Sequence, residues 1–336
     1  MDAATEAMLA RAQSGDGEAF RVLVEPHRRS LKALCYRMSG SQHDAEDLLQ
    51  ESLVKAWRAL GGFEARASLK TWLYRIATNA CLDALERRPM RQRPQDLGPA
   101  ADPRAPVAPP TADPIWLEPA PDELFAGESP GADARYDRQE SVALAFLAAL
   151  QLLPPKQRAV LILRDVLGWQ ASECAELLDL SVTAINSALQ RARETLAKRS
   201  DLAKSPAPAT EELKGLVARY VSAWEQADVG ALVRLLHQDA SLAMPPFSIW
   251  LSGPEAIGAS IGGMVLPPEK KGHFRFLETQ ANFLPAVGAY QLNPETGRFE
   301  AAAIHVLRVE AGAIVEIMAF LDPRLFPLFG LPLALA

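Results

Sequence analysis

Three patterns of apolar and polar positions divide the chain. Residues 6–90 and 138–199 repeat apolar positions at helical spacing. From Glu211 onward the pattern changes from helices to strands. In the first block, Leu49, Leu53, Ala56, Trp57 and Leu60 form one stripe on a segment opening with Asp44-Ala-Glu-Asp. Asp47, Gln50, Glu51 and Lys55 fall on other faces, and Gly61-Gly62 ends the helix. Acids at the start suit the positive end of a helix dipole. After a loop, Phe63–Ser68, Ser68 is placed to cap a second helix with Leu69, Trp72, Leu73, Ile76, Ala77 and Ala80 inward. Lys70, Arg75 and Asn79 point elsewhere. Arg75 and Asn79, four apart, share a face. In the second block Pro155 opens a helix and Gly168 breaks its continuation. Ser172–Leu178 is a short helix, Asp179-Leu180 a tight turn, and Ser181 caps a helix to about Ala197. Ala175, Leu178, Leu180, Ile185 and Leu189 are its inner positions. This spacing predicts a helix-turn-helix, whose second helix enters a major groove.

Between the blocks, residues 94–137 hold ten prolines and little periodicity, which predicts a disordered or extended linker. Ile115-Trp116-Leu117 is its one apolar island. Residues 200–210 form a second, short linker. Beyond it an amphipathic helix (Leu213 to Trp224) and a second helical stretch (Leu232 to Leu236) precede strands at Ser241–Met244, Ile249–Leu251, Phe274–Thr279, Phe299–Val309 and Ala313–Leu321. A helix at Pro254–Gly263 intervenes. The predicted fold is multidomain: two all-α domains (6–93 and 138–199) and an α+β cone of helices on a curved sheet (211–325).

Charge sharpens this division. The whole chain carries −6, yet residues 1–93 hold 15 Lys and Arg against 12 Asp and Glu, and residues 138–199 hold 8 against 6. The intervening linker holds 2 against 9, and residues 200–336 hold 10 against 14. Two mildly basic helical blocks thus flank an acidic linker, an arrangement that a whole-chain charge hides. The run Arg87, Arg88, Arg91 and Arg93 suits phosphates. No run of about 18 apolar residues predicts a membrane span, and the first residues lack a signal-peptide layout, so a cytoplasmic protein is expected. Cys35, Cys81 and Cys174 form neither a disulfide framework nor a zinc motif. No cofactor or metal is expected.

Asn and Arg make bidentate base contacts, and an aromatic ring can receive a splayed base. Phe63 is the aromatic residue beside Arg75 and Asn79 that suits this role. Trp72 reads as core. The segments Asp-Ala-Glu-Asp-Leu-Leu-Gln-Glu (44–51) and Ser-Leu-Lys-Thr-Trp-Leu-Tyr-Arg-Ile-Ala-Thr-Asn-Ala-Cys-Leu-Asp (68–83) resemble domain 2 of extracytoplasmic-function sigma factors of the sigma-70 family. The resemblance implies that Asp47, Gln50 and Glu51 meet the polymerase core at the β′ clamp coiled coil. It places Phe63, Ser68, Lys70, Arg75 and Asn79 on the −10 element of promoter DNA. The helix-turn-helix resembles sigma domain 4, which implies contact with the β flap and −35 reading by Ser181, Thr183, Asn186 and Ser187, together with Gln190, Arg191 and Arg193. Family members commonly carry basic residues where Asn186 and Ala188 stand, so hydrogen bonding is expected to replace part of the phosphate charge.

The C-terminal layout resembles the polyketide-cyclase-like branch of the nuclear transport factor 2 superfamily, implying a regulatory domain with a pocket for a small-molecule ligand. Candidate lining residues are Tyr220, Trp224, Met244 and Trp250, with Asn282, Tyr290, His305 and Phe320. His237 and Asp239 lack a third partner for acid–base chemistry, so no enzyme is expected. The competing readings are a DNA-binding regulator that never joins polymerase and an enzyme carried on a DNA-binding scaffold.

Overall fold

A computed structural model describes residues 3–65, 67–87, 90–105, 109–110, 116–127, 135, 140–198 and 210–335. The chain divides into two compact units. One joins Met1–Arg91 to Glu123–Leu202; the other joins Gln92–Asp122 to Ala203–Ala336.

The helical unit begins with α1 (Ala3–Gln13) and α2 (Gly17–Ser39). The Asp16 side chain caps α2 by accepting from Glu18 N and Ala19 N, and left-handed Gly40 ends it. Next come α3 (Gln42–Ala59) and α4 (Leu69–Leu85). Ser41 rather than an acid caps α3, while Ser68 caps α4 as expected. Leu34, Cys35, Ala45, Leu48, Leu49, Leu73 and Ala77 lie in the core. The Cys35 and Cys81 thiols meet there at 3.7 Å as free cysteines. One expected core position is corrected: Trp57 is 37% exposed at the end of α3, its ring lying on Phe20 at 5.1 Å.

Region 143–196 supplies α5 (Leu144–Gln151), α6 (Pro155–Leu161), α7 (Ala171–Leu178) and α8 (Val182–Leu196). α6 continues as a π-helical turn, Ile162–Val166. Asp179 takes the left-handed conformation between α7 and α8, and the Ser181 side chain accepts from Ala184 N. The inner set is Cys174, Ala175, Leu177, Ile185 and Leu189. Leu178 and Leu180, expected inward, are only half-buried, because the left-handed turn rotates the chain between the two helices.

The second unit is a mixed α+β fold. α9 (Thr210–Glu225), α10 (Val229–Val233) and α11 (Pro254–Ser260) accompany a seven-stranded sheet. Its strands are β1 (Leu236–Ala243), β2 (Trp250–Ser252), β3 (Phe274–Ala281), β4 (Leu284–Leu292), β5 (Phe299–Glu310), β6 (Ala313–Phe320) and β7 (Ala334–Leu335). The order is β2-β1-β6-β5-β4-β3, with β7 beside the start of β5. β1 and β6 run parallel, while the other pairs are antiparallel. The sequence pattern missed β4, whose Pro285 and Gly288 read as a loop. Gly288 is needed because a Cβ there would come within 2.6 Å of Leu331 Cδ1. Leu216, Tyr220, Leu232, Leu251, Ile257, Leu307 and Ile317 share the core.

Part of the expected linker is built into the second unit. The described parts of residues 92–122 belong to the second unit. Gln92 bridges Trp116, and Pro121 bridges Ala281. Arg93, Pro94, Trp116, Leu117 and Ala120 are buried. Ile115, Arg88 and the second linker's 200–209 lie outside the described residues.

Candidate nucleic-acid interface

On α3, Asp47, Gln50 and Glu51 are all exposed. Glu51 pairs with Lys55 at 2.8 Å and Gln50 donates to Glu46 at 3.4 Å, so both pairs lie along the helix surface. Lys55 also reaches Asp83 of α4 at 3.4 Å. Exposed pairs of this kind contribute little stability and are readily exchanged for a partner's charges.

α4 presents Arg75 and Asn79 on one exposed face, and Lys70 one turn earlier with its ammonium 5.8 Å from the Tyr74 ring centre. Ser68 is committed locally, since its hydroxyl accepts from Thr71 N at 3.0 Å and meets Thr71 Oγ1 at 2.8 Å. Phe63 is not available to a base. It is 7% exposed, stacked on Trp72 at 4.9 Å, and its carbonyl accepts from Gln13 Nε2 at 2.9 Å. In this structure the residue belongs to the seam between α1 and the start of α4, and receiving a base would require its ring to leave Trp72. Ala65 in the same loop is left-handed at φ 55°, a conformation that costs energy in a residue with a Cβ.

On α8, Thr183, Asn186, Gln190 and Arg191 are exposed and Ser187 is half-buried. Gln190 Nε2 donates to Glu194 Oε1 at 2.9 Å. Arg193 differs from its neighbours. Its guanidinium grips Asp165 with Nε–Oδ2 at 2.8 Å and Nη2–Oδ1 at 2.6 Å, and Asp165 is 1% exposed. Arg193 thus neutralises a buried carboxylate while its side chain stays 41% exposed, so this ion pair sets it apart from the other residues expected at the −35 element.

Sequence reasoning missed Arg158. This residue of α6 is buried, and donates to Gln151 Oε1 at 2.6 Å, to Gln151 O at 2.9 Å and to Leu153 O at 3.2 Å. It also donates to the Met38 carbonyl at the end of α2. Burial lowers its pKa to about 10, so the side chain stays charged at neutral pH. Arg37 Nη2 reaches Ser141 Oγ at 3.3 Å, and the Tyr74 ring of α4 lies 5.1 Å from Trp169. The two reading segments are thereby packed against each other within one unit.

In the second unit the eight candidate pocket residues separate. Tyr220, Trp224 and His305 meet in the core: Tyr220 Oη lies 2.8 Å from His305 Nδ1, and the Trp224 and His305 rings are 5.2 Å apart. Phe276 closes the group at 5.9 Å from His305. Burial lowers the His305 pKa to about 4, leaving the ring neutral. Met244 packs at the edge of the same core. The other four act elsewhere. Tyr290 donates to Pro332 O at 2.9 Å. Phe320 lines a 170 Å³ cavity with Trp116. Trp250 Nε1 donates to Gly98 O at 2.8 Å, and Ala101 N donates back to Trp250 O at 2.8 Å. Asn282, in the β3–β4 turn, accepts from Ala120 N at 2.9 Å through its side chain and donates to Ala120 O through its backbone. Trp116 Nε1 donates to Pro246 O at 3.0 Å, and Gln95 Nε2 to Glu316 Oε1 at 3.0 Å. Among the described residues no cluster of His, Cys, Asp and Glu could hold a metal ion, and no helix is long and apolar enough to cross a membrane.

In the helical unit two polar helices face outward, α4 behind a capped loop and α8 in a helix-turn-helix. The Sigma-70 region 2 model matches residues 23–89, the Sigma-70 region 4 model residues 143–196, and the SnoaL-like domain model residues 217–317. The ECF RNA polymerase sigma factor SigG of Mycobacterium tuberculosis is 44% identical over 317 residues, covering 93% of this chain and 84% of the relative. SigM of the same organism is 31% identical over 57% of this chain and 82% of its own. The crystal structure of the Mycobacterium tuberculosis extracytoplasmic function sigma factor SigJ shares the fold, with a TM-score of 0.57 at 22% identity over 91% of this chain and 97% of that one. The chain belongs to the ECF RNA polymerase sigma factors. It directs transcription initiation with the polymerase core on promoter DNA, working by binding rather than as an enzyme.

Proposed function

We propose that this sigma factor is held in a closed form by its own C-terminal unit, which grips the connector between the two reading segments. The observation that carries this reading is the docking of Trp116 and Ala120 on Pro246 and Asn282. The names of the two promoter elements place them about 25 base pairs apart, or roughly 85 Å at about 3.4 Å per pair. In the closed unit Tyr74 of α4 touches Trp169 beside α7, so α4 and α8 cannot occupy both elements together. Extended at about 3.3–3.6 Å per residue, the roughly 30-residue connector could span on the order of 100 Å. Gripped, it cannot. Opening therefore requires release of the connector, and whatever stabilises the grip disfavours promoter binding.

In the open form the exposed Asp47, Gln50 and Glu51 of α3 dock on the β′ clamp coiled coil and region 4 docks on the β flap. Arg75 and Asn79 hold the opened −10 strand, while Asn186, Gln190 and Arg191 read the −35 element. The alternative of a DNA-binding regulator without polymerase is excluded if core enzyme captures the chain and Asp47→Arg with Glu51→Arg weakens that capture.

The grip is tested with Trp116→Ala in the full chain, using run-off transcription with core enzyme and dyes on α4 and α8 that report their separation. Release should raise transcription and lengthen the dye distance. Unchanged transcription and distance, with Trp116→Ala exposing the connector to protease, would remove the proposed control.

A further inference from the structure

The core of the C-terminal unit is filled by the rings of Tyr220, Trp224, Phe276 and His305. One open cleft lies elsewhere. A cleft of about 470 Å³ is bounded by the last two turns of α9, by α10 and by the β5–β6 turn. That volume falls in the range of small-molecule sites, about 300–1,000 Å³. Ala223, Ala231, Leu235 and Ala313 give it an apolar floor. Two arginines, Arg219 and Arg234, stand on its rim, both exposed. Neither makes an ion pair among the described residues. The one carboxylate in the lining, Asp228, is held as the cap of α10, where its Oδ1 accepts from Ala231 N at 2.7 Å, and it keeps its negative charge, so the lining carries two positive charges against one. Ser222 and Gln226 add a hydroxyl and an amide. Gly312, at φ 79°, closes the tight β5–β6 turn without placing a side chain in the mouth, and nothing lies within 4 Å of where its Cβ would be.

Two unpaired guanidinium forks above an apolar floor, in a segment with more acids than bases, form a local positive site with a defined shape. Guanidinium matches the oxygen geometry of a phosphate bidentately, and the floor accepts an apolar body. We propose that this cleft binds a small phosphomonoester, its dianionic phosphate held by Arg219 and Arg234 and its apolar portion resting on Ala223, Leu235 and Ala313. Ser222 and Gln226 donate to the remaining oxygens. This site is separate from the connector grip, and its test does not depend on that grip.

The full chain is titrated with phenyl phosphate by calorimetry, with phenylacetate and inorganic phosphate in parallel. Saturable one-to-one binding is expected for phenyl phosphate, weaker binding for inorganic phosphate and for phenylacetate. Arg219→Ala and Arg234→Ala should each weaken it roughly tenfold or more. Both side chains are solvent-exposed, so thermal melts of the variants should superimpose on the parent. Arg298→Ala, which removes an exposed arginine elsewhere in the unit, should leave binding unchanged. Absence of saturation, or an equal loss in Arg298→Ala, would overturn the site in favour of diffuse charge attraction. Tighter binding of phenylacetate than of phenyl phosphate would overturn the phosphomonoester assignment.

Discussion

The two units use polar ties in opposite ways. In the helical unit they join segments that are each recognisable alone: Arg158 ties α6 to the end of α2, and Arg193 ties α8 to Asp165. The surfaces proposed to meet DNA stay outside this network. In the C-terminal unit the comparable groups reach a strip contributed from the middle of the chain: Asn282 to Ala120, Trp250 to Gly98, Glu316 to Gln95. The first arrangement fixes how α4 and α8 sit within the helical unit. Under the proposed control, the second would set how long the connector stays held. A polar side chain turned to solvent on its own helix is therefore a candidate for recognition, and one tied to a distant segment a candidate for conformational control.

The sharpest way to break this contrast is Arg158→Ala. Four acceptors lose their donor, and the side chain is almost fully buried. A loss of about 3–5 kcal/mol is expected for removing a buried charged partner, read as a lower denaturation midpoint of the helical unit. A change below about 1 kcal/mol would mean that Arg158 does not join the two regions.

His305 supplies the matching test in the C-terminal unit. Its folded pKa lies near 4, below the ordinary value of 6.5, because burial penalises the charged ring. Between those values the unfolded chain takes up a proton that the folded chain refuses. Stability is thus full above about pH 6.5 and falls as pH drops toward 4, by an amount on the order of 3 kcal/mol. His305→Asn, which keeps an acceptor or donor near Tyr220, should flatten the melting profile across that window. A profile equally steep in both proteins would assign the acid sensitivity elsewhere.

How much of this was legible in the sequence follows from locality. Ser68, Asp179 and Ser181 signal caps and a turn through neighbours within four residues, and each sits as the pattern predicts. Arg75 and Asn79 are likewise exposed together because helical spacing alone fixes their shared face. Trp57 lies outside the core because periodicity counts apolar positions without saying which one lies beyond the packed end of a helix. β4 was hidden by Pro285 and Gly288, and the close approach at Gly288 comes from Leu331 and Phe326, far along the chain. The connector contacts join residues up to 223 positions apart, and nothing local marks Asn282 as their partner.

Asn79→Ala tests the recognition side with a smaller effect. Losing a bidentate base contact should cost about 1–3 kcal/mol in promoter opening, with core binding unchanged. Permanganate footprinting of the −10 region and core capture separate the two. Equal losses in both assays would make Asn79 a structural residue.

The smallest effect divides two arginines on one helix. Arg191 is exposed on α8, whereas Arg193 is locked on buried Asp165. If Arg191 meets a phosphate, Arg191→Ala should lower −35 affinity and reduce the salt slope by about one, because one fewer counterion is released on binding. Its thermal stability should match the parent. Arg193→Ala should do the reverse, leaving the Asp165 carboxylate buried without its partner, so that the helical unit melts earlier while the salt slope of the folded fraction stays the same. The pair is measured by titrating −35 DNA at several salt concentrations alongside melts of each variant. A salt slope lowered by Arg193→Ala and untouched by Arg191→Ala would invert the assignment, placing recognition on the paired arginine and removing the distinction between exposed readers and buried ties.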